Sequence, residues 1–223
     1  MKFVDSWYFP DGETHLPQWM ATPKARMILN GRPAYQGKKQ LAAITECGRR
    51  GRMGVAVDVG AHIGLWTWNL APAFRWVHAF EPVKDHRACW MKNLLDSPFA
   101  GRVEMHSVAL GMQEGSVSIK TAPTSSGDSW VSGEGDIPMV TLDSFGFEHV
   151  DFIKIDCEGY EENVLRGAAD TLDAWRPIIM VEQKRDMASD RFGLAKLGAV
   201  TFLLERGYKV AAELSGDYLM VPA

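Results

Sequence analysis

Between Met53 and Leu70 the chain reads MGVAVDVGAHIGLWTWNL, an order of residues that few backbones accommodate. Val55, Val57 and Val59 are β-branched and alternate with Ala56 and Asp58 between Gly54 and Gly60, which suits a short strand buried in a parallel sheet. Gly60 and Gly64 let the backbone turn tightly and let a ligand approach, and the run from Ile63 has helical character. Strand, glycine turn and helix make a nucleotide-cofactor loop with a carboxylate built in.

That loop is not a dinucleotide fingerprint. G-x-G-x-x-G would place glycine where this chain has His62, and Asp58 sits where a pyrophosphate would pass, an unfavourable pairing of anions. The loop prefers a cofactor with a positive group. S-adenosylmethionine fits: its ammonium can pair with Asp58 while its carboxylate meets backbone donors of the turn and the helix N-terminus. A second signal follows in WVHAFEP, where Glu81 lies 21 residues after Gly60 at the end of another buried strand, the position of a ribose-binding acid. Gly60, Ala61, His62 and Gly64, with Glu81 and Pro82, are therefore expected around the cofactor.

Strands and helices alternate over most of the chain: strand 54–59, helix 63–73, strand 76–81, helix 84–95 and strand 102–108, then strand 150–155, a helix from 161, strand 177–182, a helix over 190–206 and a terminal strand pair. This rhythm predicts a doubly wound α/β fold, mostly parallel with an antiparallel C-terminal strand and helices on both faces. Lys38 to Arg50 is expected to form a leading helix with Leu41 and Ile44 on one face. Residues 1–37 are rich in Pro, Gly and aromatics and read as an ordered extension, because a disordered tail seldom carries so many aromatic rings. The rhythm breaks over 115–142, where 121–136 is a polar, glycine-rich loop expected to close over the site, with Trp130 offering a ring face.

Several classes are excluded or disfavoured. At 223 residues, 46% apolar and 23% charged, the chain is long enough for one α/β domain with a modest appendage. There is no 18-residue apolar run and no signal-peptide pattern, so the expected compartment is cytoplasmic, without a membrane span. Cys47, Cys89 and Cys157 contain no C-x-x-C pair, which argues against a disulfide framework and a zinc site of cysteines; Cys157 is read as a buried filler. Residues 1–52 carry a net charge of +5 and the remainder −9. Lys38, Lys39, Arg49, Arg50 and Arg52 either draw an anionic substrate or form a solvated helix face, and a pI near 5.9 argues against extended nucleic-acid binding.

VAVDVGAHIG, HAFEPVKDH, VALGMQEGSV, VTLDSFGFEHVDFIKIDCEGYEENVLRGA and RPIIMVEQ, over about 53–183, together resemble the FkbM-type methyltransferases, DFIKIDCEGYE most specifically. The resemblance implies a class I (Rossmann-like) methyltransferase fold over 53–223, with 1–52 as N-terminal extension and leading helix. It also implies S-adenosylmethionine as cofactor and O-methylation of sugars or natural products. The family often has Asn where this chain has His62. In methyltransferases of this type adenine commonly sits at the end of the third strand, which brings in Ser107 as a hydroxyl for the base edge and Val108 as its packing partner.

Chemistry in such folds gathers at the carboxyl ends of strands. Asp156 and Glu158 follow DFIKI, two positions apart and so expected on one side of the strand, and Glu182 ends IIMVE. One of them can act as general base toward an acceptor hydroxyl, with a pKa raised by burial or a neighbouring acid. Alternatively they can hold Mg²⁺ or Ca²⁺, which would lower the hydroxyl pKa. Asp156 also counts as a cofactor contact. His62 is a further candidate base, Asp143 is expected to cap a helix, and Asp11, Glu13 and His15 are candidates to face the pocket. The acceptor is expected to be a small molecule, a sugar or an anionic glycoconjugate. Two rival readings remain at this point: an NAD-dependent oxidoreductase, and a cofactor-binding module without turnover.

Overall fold

The computed structural model describes residues 1–22, 27–122, 124–184 and 186–223. Numbering only the strands of the central sheet, β1 is Val55–Val59, β2 Trp76–Phe80, β3 Val103–His106, β4 Phe152–Ile155, β5 Ile178–Glu182, β6 Tyr208–Leu214 and β7 Asp217–Pro222. Their order across the sheet is β6-β7-β5-β4-β1-β2-β3, and only β7 runs against its neighbours. The β6–β7 hairpin closes through Ser215 (φ 56°) and Gly216 (φ 84°), two successive left-handed residues whose twist matches that of the strands. Strand order reverses between β1 and β4, which opens a crevice beyond their carboxyl ends.

β1, β4 and β5 are almost wholly buried because both faces of the sheet are covered, and alternate side chains enter separate cores. Ala56, Phe152, Ile178 and Met180 meet Trp66, Phe74 and the N-terminal extension on one face. Val57, Ile153, Ile179 and Val181 meet Val164, Leu165 and Leu203 on the other. The extension is ordered by this packing: Trp7 and Phe9 are fully buried, and the Arg32 guanidinium lies 3.6 Å from the centroid of the Trp68 ring.

Several elements differ from the expected ones. The helix after the glycine turn is only Thr67–Leu70, because His62 (φ 51°) and Gly64 (φ 95°) hold left-handed turns before it and Pro72, lacking an N–H, follows it. The leading helix Gly37–Arg49 buries Gln40, Ala43 and Cys47, while Leu41 is exposed, so its inward face is rotated from the expected one. The helix from 161 divides into Glu161–Arg166 and Ala169–Trp175, and the one near 190–206 into Met187–Phe192 and Gly198–Glu205, where left-handed Gly193 stops the first part. The segment 121–136, apart from Pro123, which lies outside the described residues, is not wholly a loop. Ile119–Thr121 pairs with Ser129–Val131 as a hairpin, shortening the irregular part to its tip. Asp143 does cap a helix, but a distant one: its carboxylate accepts from the backbone of Asp170 (3.0 Å) and Thr171 (2.9 Å). Among the described residues no helix is long and apolar enough to cross a membrane.

Candidate active site

Two adjoining cavities open at the carboxyl ends of β1, β2, β4 and β5 and share Gly60, His62, Gly127, Asp156 and Glu158 in their walls. The larger, about 260 Å³, is walled by Tyr35, Gln36, Lys154 and Glu182. The smaller, about 80 Å³, lies between Glu81, Pro82 and Val108 and the apolar side chains of Phe80, Leu110 and Trp130.

The glycine turn is drawn tight against β4. Gly60 has φ 72°, and a Cβ there would fall on the Asp156 carbonyl oxygen, so only glycine fits. Gly64 is glycine for another reason: a Cβ would meet Leu94 and Trp90, and Gly64 lines neither cavity. The backbone donors of the turn are committed within the protein. Gly60 and Ala61 both donate to the Phe80 carbonyl at 3.0 Å, Gly64 donates to Ala61 at 2.8 Å, and His62 donates to Glu81 Oε2 at 2.8 Å. These four N–H groups are therefore not the carboxylate cradle that the sequence suggested.

Asp58 also departs from its expected place. It is fully buried and lines neither cavity; Oδ2 accepts from Thr67 Oγ1 at 2.6 Å, and Oδ1 lies 3.3 Å from the Lys154 ammonium. Lys154 occupies the matching position on β4 and also donates to the carbonyls of Val59 (3.1 Å) and Gly60 (2.8 Å), bracing the turn from below. Burial would pull the Lys154 pKa down, but Asp58 and then Asp156 outweigh it and hold the ammonium above its ordinary value. The charge of Asp58 is spent on Lys154, leaving none for a cofactor ammonium. Lys154 was not singled out from sequence, although a lysine in an otherwise apolar strand signals a buried partner.

Glu81 ends β2 inside the smaller cavity, 4% exposed. It accepts from the Val83 N–H at 2.8 Å and from His62, and lies 3.3 Å from His86 Nδ1. Val108 lines the same cavity, whereas Ser107 is exposed and faces an outer depression with Arg87 and Asp136. Ser107 is thus displaced from its expected role because strand β3 ends at His106 and the chain bends outward before Ala109–Leu110 pairs with Ile137–Val140.

Asp156, Glu158 and Glu182 converge, their carboxylate oxygens all within 4.8 Å of one another. Strand alternation does not cause this: β4 ends at Ile155, and left-handed Glu158 (φ 55°) and Gly159 (φ 103°) curl the chain back. Glu161, 1% exposed, ties that curl by accepting from the N–H groups of Cys157 and Gly159, each at 2.9 Å. Burial, then Asp156 and Asp128, push Glu158 up to about 7 despite Arg191, whose guanidinium is 3.2 Å from Oε2. Glu182 pairs with Lys184 through Oε1, while its buried Oε2 has no hydrogen-bond partner among the described residues. Cys157 lines the smaller cavity, and burial followed by Glu161 raises its thiol well above the ordinary value, so it is no nucleophile at neutral pH.

A roof joins the extension to the hairpin. Glu13 accepts from the Ser126 N–H (2.5 Å) and from its hydroxyl, and Ser126 Oγ lies 2.7 Å from His62 Nε2. Since the hydroxyl proton goes to Glu13, the network assigns the hydrogen between Ser126 and His62 to Nε2. Burial, then His86 and Lys154, lower the His62 pKa far below its ordinary value, so this ring is a poor base at neutral pH. His15 lines the larger cavity, and Asp11 instead pairs with the amino terminus at 2.8 Å. Trp130 lines the smaller cavity with Arg191 4.4 Å from its ring centroid. Arg49 and Arg50 are held by Glu46, Arg52 donates to the Trp175 carbonyl, and Lys38 is exposed, so the basic group does not line the cavities; Lys39 is bound to Asp217 at 2.6 Å.

The model of the methyltransferase FkbM domain matches residues 58–210. No sequence among proteins of curated function matches significantly. Among solved structures the chain is similar to an FkbM methyltransferase from Methylobacillus flagellatus at 20% identity and TM-score 0.53, covering 76% of this chain and 43% of that one. It therefore spans less than half the length of that protein. It is also similar to precorrin 8w decarboxylase from Methanobacterium thermoautotrophicum (18% identity, TM-score 0.53, covering 99% of this chain and 94% of that one). A third likeness is to magnesium protoporphyrin IX methyltransferase from Synechocystis, solved with bound S-adenosylmethionine (10% identity, TM-score 0.52, covering 97% and 94%). At these identities the structural likeness speaks for the fold. With the family match covering more than half its length, the chain belongs to the FkbM methyltransferase family and has the fold of the class I S-adenosylmethionine-dependent methyltransferases.

Proposed function

We propose that this protein binds S-adenosylmethionine in the smaller cavity and methylates a hydroxyl group of a sugar or related small molecule held in the larger one. The observation that carries the reading is the junction of the two cavities, where Asp156 and a Glu158 raised to about 7 stand in both walls. The cofactor reading is supported on two counts: Gly60 lets the turn lie tight against β4 in the wall of both cavities, and Glu81 offers a buried carboxylate beside the apolar walls of Phe80, Val108 and Leu110. In that site Glu81 accepts from ribose hydroxyls, Val108 packs on adenine, and Asp156 lies at the boundary with the acceptor. Bound S-adenosylmethionine supplies the methyl group on an already reactive sulfonium.

The chain's own part is alignment and proton removal. Glu158, half ionised near pH 7, takes the acceptor's hydroxyl proton; Arg191 restrains its carboxylate, and Glu161 holds the turn that presents it. The network of Glu13, Ser126 and His62 ties the extension and the hairpin tip to the wall of the cavities. The acceptor wall carries Asp128, Asp156, Glu158 and Glu182 against Lys154 and Lys184, both of which are already paired. This acidic lining favours a neutral or cationic acceptor rich in hydroxyls over an anionic one. A second role for the acids is supported by the orphan Oε2 of Glu182: with Asp156 and Glu158 it would complete an all-oxygen site for Mg²⁺ or Ca²⁺.

Calorimetric titration with S-adenosylhomocysteine and, separately, NAD tests the cofactor reading. Micromolar binding of the former, lost in Glu81→Ala and absent for NAD, supports it, and NAD binding alone overturns it. Turnover of S-adenosylmethionine with a panel of sugar acceptors then separates an enzyme from a binding module. Activity lost in chelator and restored by one divalent ion supports the metal, and full activity in chelator removes it.

A further inference from the structure

Away from the proposed active site, on the far edge of the central sheet, His78 of β2 and Glu104 and His106 of β3 bring their ligating atoms together on one face. Register explains the grouping. His78 pairs with Glu104 across the two parallel strands, and His106, two residues on from Glu104, projects to the same face. His78 Nδ1 lies 3.1 Å from His106 Nε2 and 3.5 Å from Glu104 Oε2, and all three ligating atoms fall within 4.8 Å of one another.

One hydrogen, on either ring nitrogen, serves the His78–His106 contact, and Glu104 Oε2, 3.5 Å from His78 Nδ1, then takes no part in it. A cation at the centre would engage all three. The separations also have the right size: a Zn–N bond of about 2.0–2.1 Å implies tetrahedral edges of about 3.3–3.4 Å, and the observed 3.1 and 3.5 Å bracket them. The rings are already held. Phe80 stacks on His106 at 4.6 Å, Phe147 lies 4.5 Å from His78, and Phe145 closes the corner at 4.9 Å from His106. Glu104, half exposed, keeps the opposite side open to water.

We propose that His78, Glu104 and His106 form a binding site for a divalent transition-metal ion, with zinc as the best match and water as fourth ligand. Two imidazoles and one carboxylate select such an ion over Mg²⁺ or Ca²⁺, which take oxygen ligands. Bound there, the ion cross-links edge strand β3 to β2. It also steadies Phe80, whose ring lines the smaller cavity and whose carbonyl receives the N–H groups of Gly60 and Ala61. The site is thus a clamp on the wall behind the cofactor turn rather than part of the chemistry.

The test uses full-length protein stripped with chelator and titrated with Zn²⁺ by calorimetry, with Co²⁺ as a spectroscopic probe of tetrahedral geometry. The expected result is one Zn²⁺ per chain, weakened at least about tenfold in His106→Ala and in Glu104→Gln, since loss of even an outer-shell partner costs about 10–100-fold. Asp156→Asn should leave it unchanged. Glu104→Gln alters an exposed side chain and decides the matter even where the histidine variants fail to fold. Absence of stoichiometric Zn²⁺ binding, or binding unchanged in Glu104→Gln, overturns the proposal, and loss in Asp156→Asn alone assigns the ion to the acids of the crevice instead.

Discussion

The Lys154 ammonium lies 3.3 Å from Asp58 Oδ1, with both side chains almost sealed from solvent between adjacent strands. Removing either partner leaves a buried charge without compensation, which costs about 3–5 kcal/mol. Asp58→Asn and Lys154→Met should each lower unfolding stability by that order in urea. The double variant should recover a substantial part of the loss, and simple additivity of the two losses would show that the pair is not coupled.

Glu81 satisfies the His62 and Val83 N–H groups and is left facing the smaller cavity. Hydrogen bonds to a charged group contribute about 1.5–3 kcal/mol, so Glu81→Gln should weaken S-adenosylhomocysteine binding by roughly 10–150-fold in calorimetry. Unchanged affinity would move the ribose elsewhere.

Glu158 carries a distinct signature in pH. Its folded pKa of about 7 stands above the ordinary glutamate value of 4.5, chiefly through burial. Between those values the folded state binds more protons than the unfolded chain, so stability falls as pH rises from about 4.5 to about 7. Activity that needs Glu158 as base should rise over the upper part of that window. Glu158→Gln should flatten its share of both slopes, measured by denaturant titration and by the pH dependence of kcat/KM.

Ser126 links Glu13, in the extension, to His62, in the glycine turn. Ser126→Ala removes one donor from a carboxylate that is 1% exposed, a cost of about 1–3 kcal/mol in thermal or urea unfolding. The same variant should raise KM for the acceptor more than it lowers kcat, because the roof shapes the cavity without touching the transferred methyl group. A fall in kcat alone would instead place Ser126 in the chemical step.

How much of the site was legible in the sequence depends on how local each constraint is. The strand into Gly60, the acid 21 residues on and the acids after β4 and β5 could be read directly, because side-chain alternation, glycine turns and strand ends are properties of a few neighbouring residues. The rotated face of Gly37–Arg49 could not, since packing on β5 outweighed local pattern, and the left-handed His62 that helps delay the next helix to Thr67 carries no signal in the residue pattern. Gly64 illustrates the same limit: a glycine in a cofactor turn looks like a ligand contact, yet here Trp90 and Leu94 require it.

The sequence by itself determined the alternation of strands and helices, the antiparallel last strand and the glycine turn at the crevice. Only the tertiary structure decided which charges remain free there. Asp58 and Lys154 are 96 residues apart in the chain and meet because β1 lies beside β4. Asp156, Glu158 and Glu182 converge because two left-handed residues bend one strand end toward the next. Whether a carboxylate binds a ligand, a lysine or a metal is settled by the partners that sheet order brings within a few ångströms, since a buried charge must be compensated where it stands.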